Sequence, residues 1–370
     1  MNEPEEVDRH NEILSWPIDE LISWALKIVE VPKVAEANSF VLHAPLELMA
    51  RVELLAMVKV ELRTTALSRI ISLAFEYEAA GPSVKSPKGV SARSPAQLLS
   101  ALLKAMSSSD LDSIDRCAVW LGLNQSTDEI RKLLSAFVAP SLSAAAHATI
   151  GLELVGRSPR IGGLILRGAL REVGRHPDWR VNHAGIVKGD RPLVDVMLES
   201  PFLGPPTNTF IRPIVERGAG AARDLLIDAS ADPVEGPKAL SRVAAWSMLQ
   251  EPDRDVAYGW THALTVPQSV ISLGLDSELA IAVAATQLIG FRASLGTVRL
   301  ATEMSFPVPG SDSWSALASV ASAHRDAHFV KYTLACRDAS DRDPDGAGLY
   351  FCAAQRLARW WSNHDKGLTN

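Results

Sequence analysis

Apolar residues recur at intervals of three and four along almost the whole chain, and this spacing restricts its fold more than any other feature. After Pro17 and Asp19, for example, Leu21, Ile22, Ala25, Leu26 and Val29 fall on one face of a helix. The same pattern predicts helices over Leu46–Val58, Ala66–Glu78, Ala96–Met106, Asp110–Leu123, Asp128–Phe137, Ser141–Val155 and Ile161–Val173. After Pro237 it predicts Ala239–Leu249, Arg254–Leu264, Ser277–Ile289, Ser313–Cys336 and Leu349–Trp361. Turn chemistry separates these segments, as in Ala-Gly-Pro-Ser around Gly81 and Arg-His-Pro-Asp around His176. The alternation of a strand is hard to find, and no convincing repeat period emerges. The expected fold is therefore all-α: a multi-helix single globular domain over residues 1–370, with a central helical core and no significant sheet. The stretch 182–208 breaks the pattern with Gly, Pro and Asn, and reads as a long loop and candidate lid.

Composition narrows the class of protein. At 370 residues with 47% hydrophobic content, the chain can bury a large core. A net charge of -6 with scattered Lys and Arg argues against a nucleic-acid partner, which needs a basic stripe. No apolar run reads as a membrane span, and the amino terminus MNEPEEVDRHNE is acidic where a secretory signal is basic and then apolar. The expectation is a cytoplasmic protein without a membrane partner. Cys117, Cys336 and Cys352 match no zinc or redox spacing and are expected to be packed, reduced thiols.

Chemistry is suggested by histidines in four helical-looking segments: His43 in SFVLHAPLELMA, His147 in SAAAHATIGLEL, His262 in YGWTHALTVPQS and His328 in AHRDAHFVKYT. An imidazole is costly to bury without a partner and is a common metal ligand, so four of them on apolar helices suggest one interior site. Each also has a plainer reading. His43 precedes Pro45, which suits a first helical turn, and Glu47 lies one turn on, so both side chains can share a face. Taken alone, His43 reads first as a half-exposed residue at a helix start, since most lone histidines bind nothing. His147 sits among Ala145, Ala146, Ala148, Ile150 and Leu152 on a helix expected to be buried all round, as a ligand or as a satisfied core histidine. His262 follows Tyr258 by one turn, and Pro267 is expected to interrupt its helix and free a carbonyl; a histidine at a helix end would look the same. His324, His328 and Lys331 fall at i, i+4 and i+7, a chelating geometry or a solvated charged face.

Other familiar chemistry is missing: no dinucleotide fingerprint in a strand-turn-helix setting, no phosphate-binding loop, no GxSxG and no HExxH. The remaining histidines, His10, His176, His183 and His364, lie in polar or terminal segments and are expected to be solvated. Trp360 and Trp361 are expected to pack the last helix onto the body.

Taken in order, the four histidine segments resemble those of the questin oxidase-like family, helical oxygenases of fungal polyketide secondary metabolism also found in actinobacteria. LHAPLELMA is similar to the first histidine stretch, with Leu42 where a polar residue is expected. AAAHATIGLEL resembles the second, WTHALTVPQSV the third, and HRDAHFVKYTLACRDA with DPDGAGLYFCAAQRLA the fourth and the last helix, with Ala327 where an acid is common. The likeness runs from about His43 to Ala358, without an alignment across the middle third. It implies oxidative cleavage or ring opening of a polycyclic aromatic, anthraquinone-like ketone with molecular oxygen and, in some members, NADPH. It further implies a non-haem iron. His43, His147, His262 and His328 are then the ligand candidates, with His324 as substitute for the last. Lys331 would be a further ligand after carbamylation, or an ammonium that binds a substrate phenolate. Glu47 and Tyr258 are the neighbouring candidates for catalytic roles.

Two rival readings need no metal chemistry: a helical binding or scaffold protein whose histidines are core residues, and a degenerate family member that keeps the fold without turnover.

Overall fold

Six of the helices begin where the sequence supplies a side-chain cap. The computed structural model describes residues 3–34, 38–85, 87, 94–183, 192–200, 202–204, 212–216 and 234–365. Its first helices are α1 (Glu3–Leu14), α2 (Ile18–Val29), α3 (Ser39–Leu54), α4 (Arg63–Ala79), α5 (Pro95–Ser107), α6 (Leu111–Asn124) and α7 (Thr127–Val138). They are followed by α8 (His147–Leu154), α9 (Arg167–Arg175), α10 (Leu193–Leu198) and α11 (Glu235–Gln250). The last are α12 (Thr261–Ser272), α13 (Ser277–Leu295), α14 (Ser311–Ala323), α15 (Ala327–Arg342) and α16 (Ala347–Asp365). Side chains of Asn38, Ser94, Asp110, Asp276 and Asp326 accept from the first free amides of α3, α5, α6, α13 and α15. Ser126 and Glu129 form a reciprocal capping box on α7. The protein is all-α, and among the described residues the only extended pairings are two isolated bridges.

The centre of the fold is α13. Every residue from Ala280 to Leu295 is buried, as expected of a helix that is apolar on all sides and enclosed by others. This helix is long and apolar enough to cross a membrane, contrary to the reading of the sequence, yet 89% of that window is buried inside the fold. α12 packs against α13, α11, α15 and α8, while α15 packs against α16 and α3. One connected set of buried apolar residues runs from Ile13 to Leu357. The three cysteines are unpaired thiols, with Cys117 and Cys336 buried and Cys352 half-buried.

Four local expectations are corrected. The single helix expected over 313–336 is broken at His324, whose backbone is extended (ψ 151°) and caps α14 before Asp326 opens α15. The buried Arg51 guanidinium stabilises this break by donating to the carbonyls of Ser322 and His324, groups an α-helix end leaves unpaired. The helix expected from Ser141 begins only at His147, because Ala144, Ala145 and Ala146 take left-handed backbone angles (φ 48°, 56° and 61°). Pro45 and Pro267 lie inside α3 and α12, which continue through them, so His43 sits in the second turn and not at the helix start. Finally, α12 is preceded by a π turn over Val256–Trp260 in place of a helix from Arg254. Nearly half of the candidate lid 182–208 lies outside the described residues; within it α10 buries Leu193, Val196 and Met197.

Candidate metal centre

Each of α3, α8 and α12 contributes one imidazole to a common interior point, and α15 sets His328 beside those of α3 and α12. His147 is the first residue of α8 and is 2% exposed, with the left-handed alanine turn immediately before it. Such a turn costs roughly 1–2 kcal/mol per residue that carries a Cβ, a strain typical of segments that fix a functional side chain. His262 is the second residue of α12 and His328 the second of α15, both buried. His43 is half-buried and lies closest to the surface.

The rings touch. Ring centroids lie 4.3 Å apart for His43 and His147, 4.6 Å for His43 and His328, 5.0 Å for His262 and His328, and 6.0 Å for His147 and His262. One ring nitrogen from each of His43, His147 and His262 lies within 4.8 Å of the other two. The Nε2 atoms of His43 and His328 are 3.1 Å apart.

Backbone carbonyls decide which nitrogens carry protons. His43 Nδ1 lies 2.6 Å from the Ser39 carbonyl and His262 Nδ1 lies 2.5 Å from the Tyr258 carbonyl, each one turn earlier in the chain. A carbonyl only accepts, so both Nδ1 atoms donate and both Nε2 atoms are left as lone pairs. This is the arrangement by which proteins orient imidazole ligands. His262 Nε2 and both ring nitrogens of His147 have no hydrogen-bond partner among the described residues, though all are buried. The Asp326 carboxylate sits 3.3 Å from His328 Nδ1 without a hydrogen bond to it, so His328 can carry its proton on Nε2 and donate it to His43 Nε2.

Burial pushes all four imidazoles well below the usual histidine range, and the Lys331 charge and the rings' mutual proximity push the same way. They are neutral near pH 7, the form that binds metals. Lys331 is 4% exposed, its Nζ has no hydrogen-bond partner among the described residues, and burial lowers its pKa to about 8. A set of buried neutral imidazoles, several of whose nitrogens have no hydrogen-bond partner among the described residues, fits a borderline transition metal and does not fit calcium or magnesium, which select oxygen ligands.

The remaining candidates are placed elsewhere. His324 does not share a face with His328, because the helix break separates them; its ring packs on Trp361 (4.9 Å) and Phe329 (5.3 Å), and its Nδ1 accepts from the Asp326 amide. Glu47 is buried and pairs with Arg51 and Arg69, which makes it a charge partner one turn along α3 from His43. Tyr258 is 55% exposed and meets His328 edge-on at 4.9 Å, forming the outer wall of the cluster. Among the other histidines, His10 and His176 are half-buried and not solvated: His10 bonds Ser68 and His176 stacks on Trp179 at 3.7 Å. His364 is exposed and stacks on Trp360, whose indole bonds the Asp253 carbonyl and holds α16 to the body.

Sequence reasoning missed the two backbone carbonyls and the role of Asp326. The last was legible, since an Asp two residues before an apolar helical run is a capping signal. The cavity that touches His147, lined also by Met49, Gly151 and Leu166, measures about 40 Å³, room for a water-sized molecule and not for a fused-ring substrate. No protein-family model, curated protein or solved structure matches this chain.

Proposed function

We propose that this protein is a metal-dependent oxidoreductase in which His43, His147, His262 and His328 hold a non-haem iron, and that it oxidises a polycyclic aromatic, anthraquinone-like substrate with molecular oxygen. The observation that carries the reading is the pair of carbonyl hydrogen bonds on His43 and His262. They leave both Nε2 atoms as acceptors beside His147: that of His43 meets His328 Nε2 at 3.1 Å, and that of His262 has no partner among the described residues. The resemblance of the four histidine segments supplies the choice of iron and of substrate class.

When bound, the iron would supply oxygen activation and Lewis acidity at a site with protein ligands on its buried side. The chain's own groups set the conditions. Ser39 and Tyr258 carbonyls hold the Nδ1 protons, and Asp326 steadies His328 from outside. The cavity behind His147 admits a molecule of water size and nothing larger. A flat substrate would approach past half-buried His43 and exposed Tyr258, because the cavity behind His147 is too small for it. Lys331 offers a buried amine; addition of its lone pair to carbon dioxide, with loss of a proton, would give a carbamate and replace a cation by an anionic oxygen donor. NADPH, where used, would act as a diffusing co-substrate.

The test is elemental analysis of chelator-free protein, with oxygen uptake measured on an anthraquinone panel. Near one equivalent of iron, lost in His147→Ala and kept in His364→Ala, together with substrate-dependent oxygen uptake, supports the reading. Protein that takes up no transition metal after iron loading overturns it in favour of a helical binding protein.

A further inference from the structure

A second cavity, of about 490 Å³, lies between α11, α12 and α15, and none of the four histidines lines it. That volume is in the range that small organic ligands occupy. The apolar part of its wall comes from Leu240, Leu264, Pro267 and Ile271. Gln268, 6% exposed, also lines it. The Gln268 amide is oriented, because its Nε2 donates to the Ala335 carbonyl at 2.9 Å; its Oε1 is therefore left as an acceptor and has no partner among the described residues. That oxygen is out of reach of a water-sized molecule as it stands, and a ligand donor meets it once the side chain turns toward the space.

Charge selects the rest of the ligand. Lys238 and Arg342 line the cavity, and each keeps donors beyond those used by Glu235, Ser272 and the Asp338 carbonyl. The carboxylate in the wall, Asp343, is already held by two bonds from Arg242 at 2.7 Å and one from the Tyr350 hydroxyl at 2.8 Å, so it does not repel an anion. We infer that this cavity is a second ligand site for a small organic anion: an apolar, ring-sized body, a carboxylate toward Lys238 and Arg342, and a hydroxyl or N–H donated to Gln268 Oε1.

The site backs onto the metal cluster. Leu264, Pro267 and Gln268 follow His262 within two turns of α12, and Pro267 leaves the Ala263 carbonyl without its helical donor. Occupancy of the cavity therefore contacts the helix that carries one proposed metal ligand, although the inference rests on the cavity and not on the metal.

The test is calorimetric titration of the full chain with 6-hydroxy-2-naphthoate, with 2-naphthoate, and with the neutral 6-hydroxymethyl-2-naphthol, followed by a crystal soak. Expected are one site for the hydroxy acid, affinity reduced about tenfold in Lys238→Met and in Arg342→Met as charge-assisted bonds are lost, and a weaker neutral analogue. Gln268→Leu is expected to erase the preference for the hydroxy acid over 2-naphthoate. Metal-free protein and His262→Ala should bind as the wild type does, which separates failure here from failure of the metal proposal. Absence of binding by all three probes, affinities unchanged in both cation variants, or density only at the histidines overturns the inference.

Discussion

His43 Nε2 and His328 Nε2 lie 3.1 Å apart although 285 residues separate them. With the Nδ1 proton of His43 given to Ser39, its Nε2 is an acceptor, which either takes a proton held on His328 Nε2 or shares a cation with that atom. Two imidazoles at adjacent positions around one metal, with bonds of about 2.1 Å, would place their nitrogens roughly 3.0–3.4 Å apart. The spacing in the fold matches that range.

The buried Lys331 amine gives a spectroscopic prediction. Protein incubated with 13C-labelled bicarbonate is expected to show a carbamate carbon signal in 13C NMR, absent in Lys331→Met. An identical spectrum from both proteins rules out the modified lysine while leaving the histidine ligands in question.

The left-handed turn before His147 gives a stability prediction. Glycine reaches positive φ without the clash that Ala145 suffers, so Ala145→Gly is expected to raise stability by up to about 1 kcal/mol after the loss in unfolded-state entropy. Ala145→Val is expected to lower it by about 1–2 kcal/mol, since a branched Cβ worsens the same clash. Urea unfolding midpoints in the reverse order would show that the turn is not strained.

Glu47 is predicted to act through folding. Arg51 and Glu47 are 1% and 2% exposed and directly paired, so Arg51→Met leaves a buried carboxylate short of its main partner at a cost of roughly 3–5 kcal/mol. The double variant Glu47→Met, Arg51→Met should recover part of that loss, because no charge is then stranded. If the single and double variants unfold at the same denaturant concentration, the pair contributes no coupling.

Asp343 sets part of the acid limit. Burial pushes its carboxyl up, but hydrogen bonds from Arg242 and Tyr350 outweigh this and hold it below the usual carboxylate range. A folded pKa below the unfolded value of about 3.9 means the network's contribution is full above that pH and is lost as pH falls through the folded pKa. Asp343→Asn should therefore be less stable than wild type at pH 7, with the difference closing in acid. A gap that stays constant from pH 7 down to about pH 2 would sink this assignment.

Much of the helical outline was legible because its signals are local. Ser94 with Pro95, Ser126 with Glu129, and Asp276 announce helix starts within a few residues of themselves. Where the sequence misled, a distant group had intervened. The heptad-like run from His324 to Lys331 looks continuous, yet Arg51 on α3 binds the carbonyls at Ser322 and His324 and stabilises the end of α14 there. The alanines before His147 favour an ordinary helix by propensity, and their left-handed angles are contrary to that local preference.

The amino-acid sequence by itself determined that the chain is helical and that His43, His147, His262 and His328 stand on or beside apolar faces, because periodicity and capping are short-range properties. Only the tertiary structure decided that these rings come together, that His324 stands apart, that Glu47 pairs with arginines, and which nitrogens of His43 and His262 remain lone pairs. Those outcomes depend on which helices pack together and which carbonyls their packing presents, and no spacing along the chain records either.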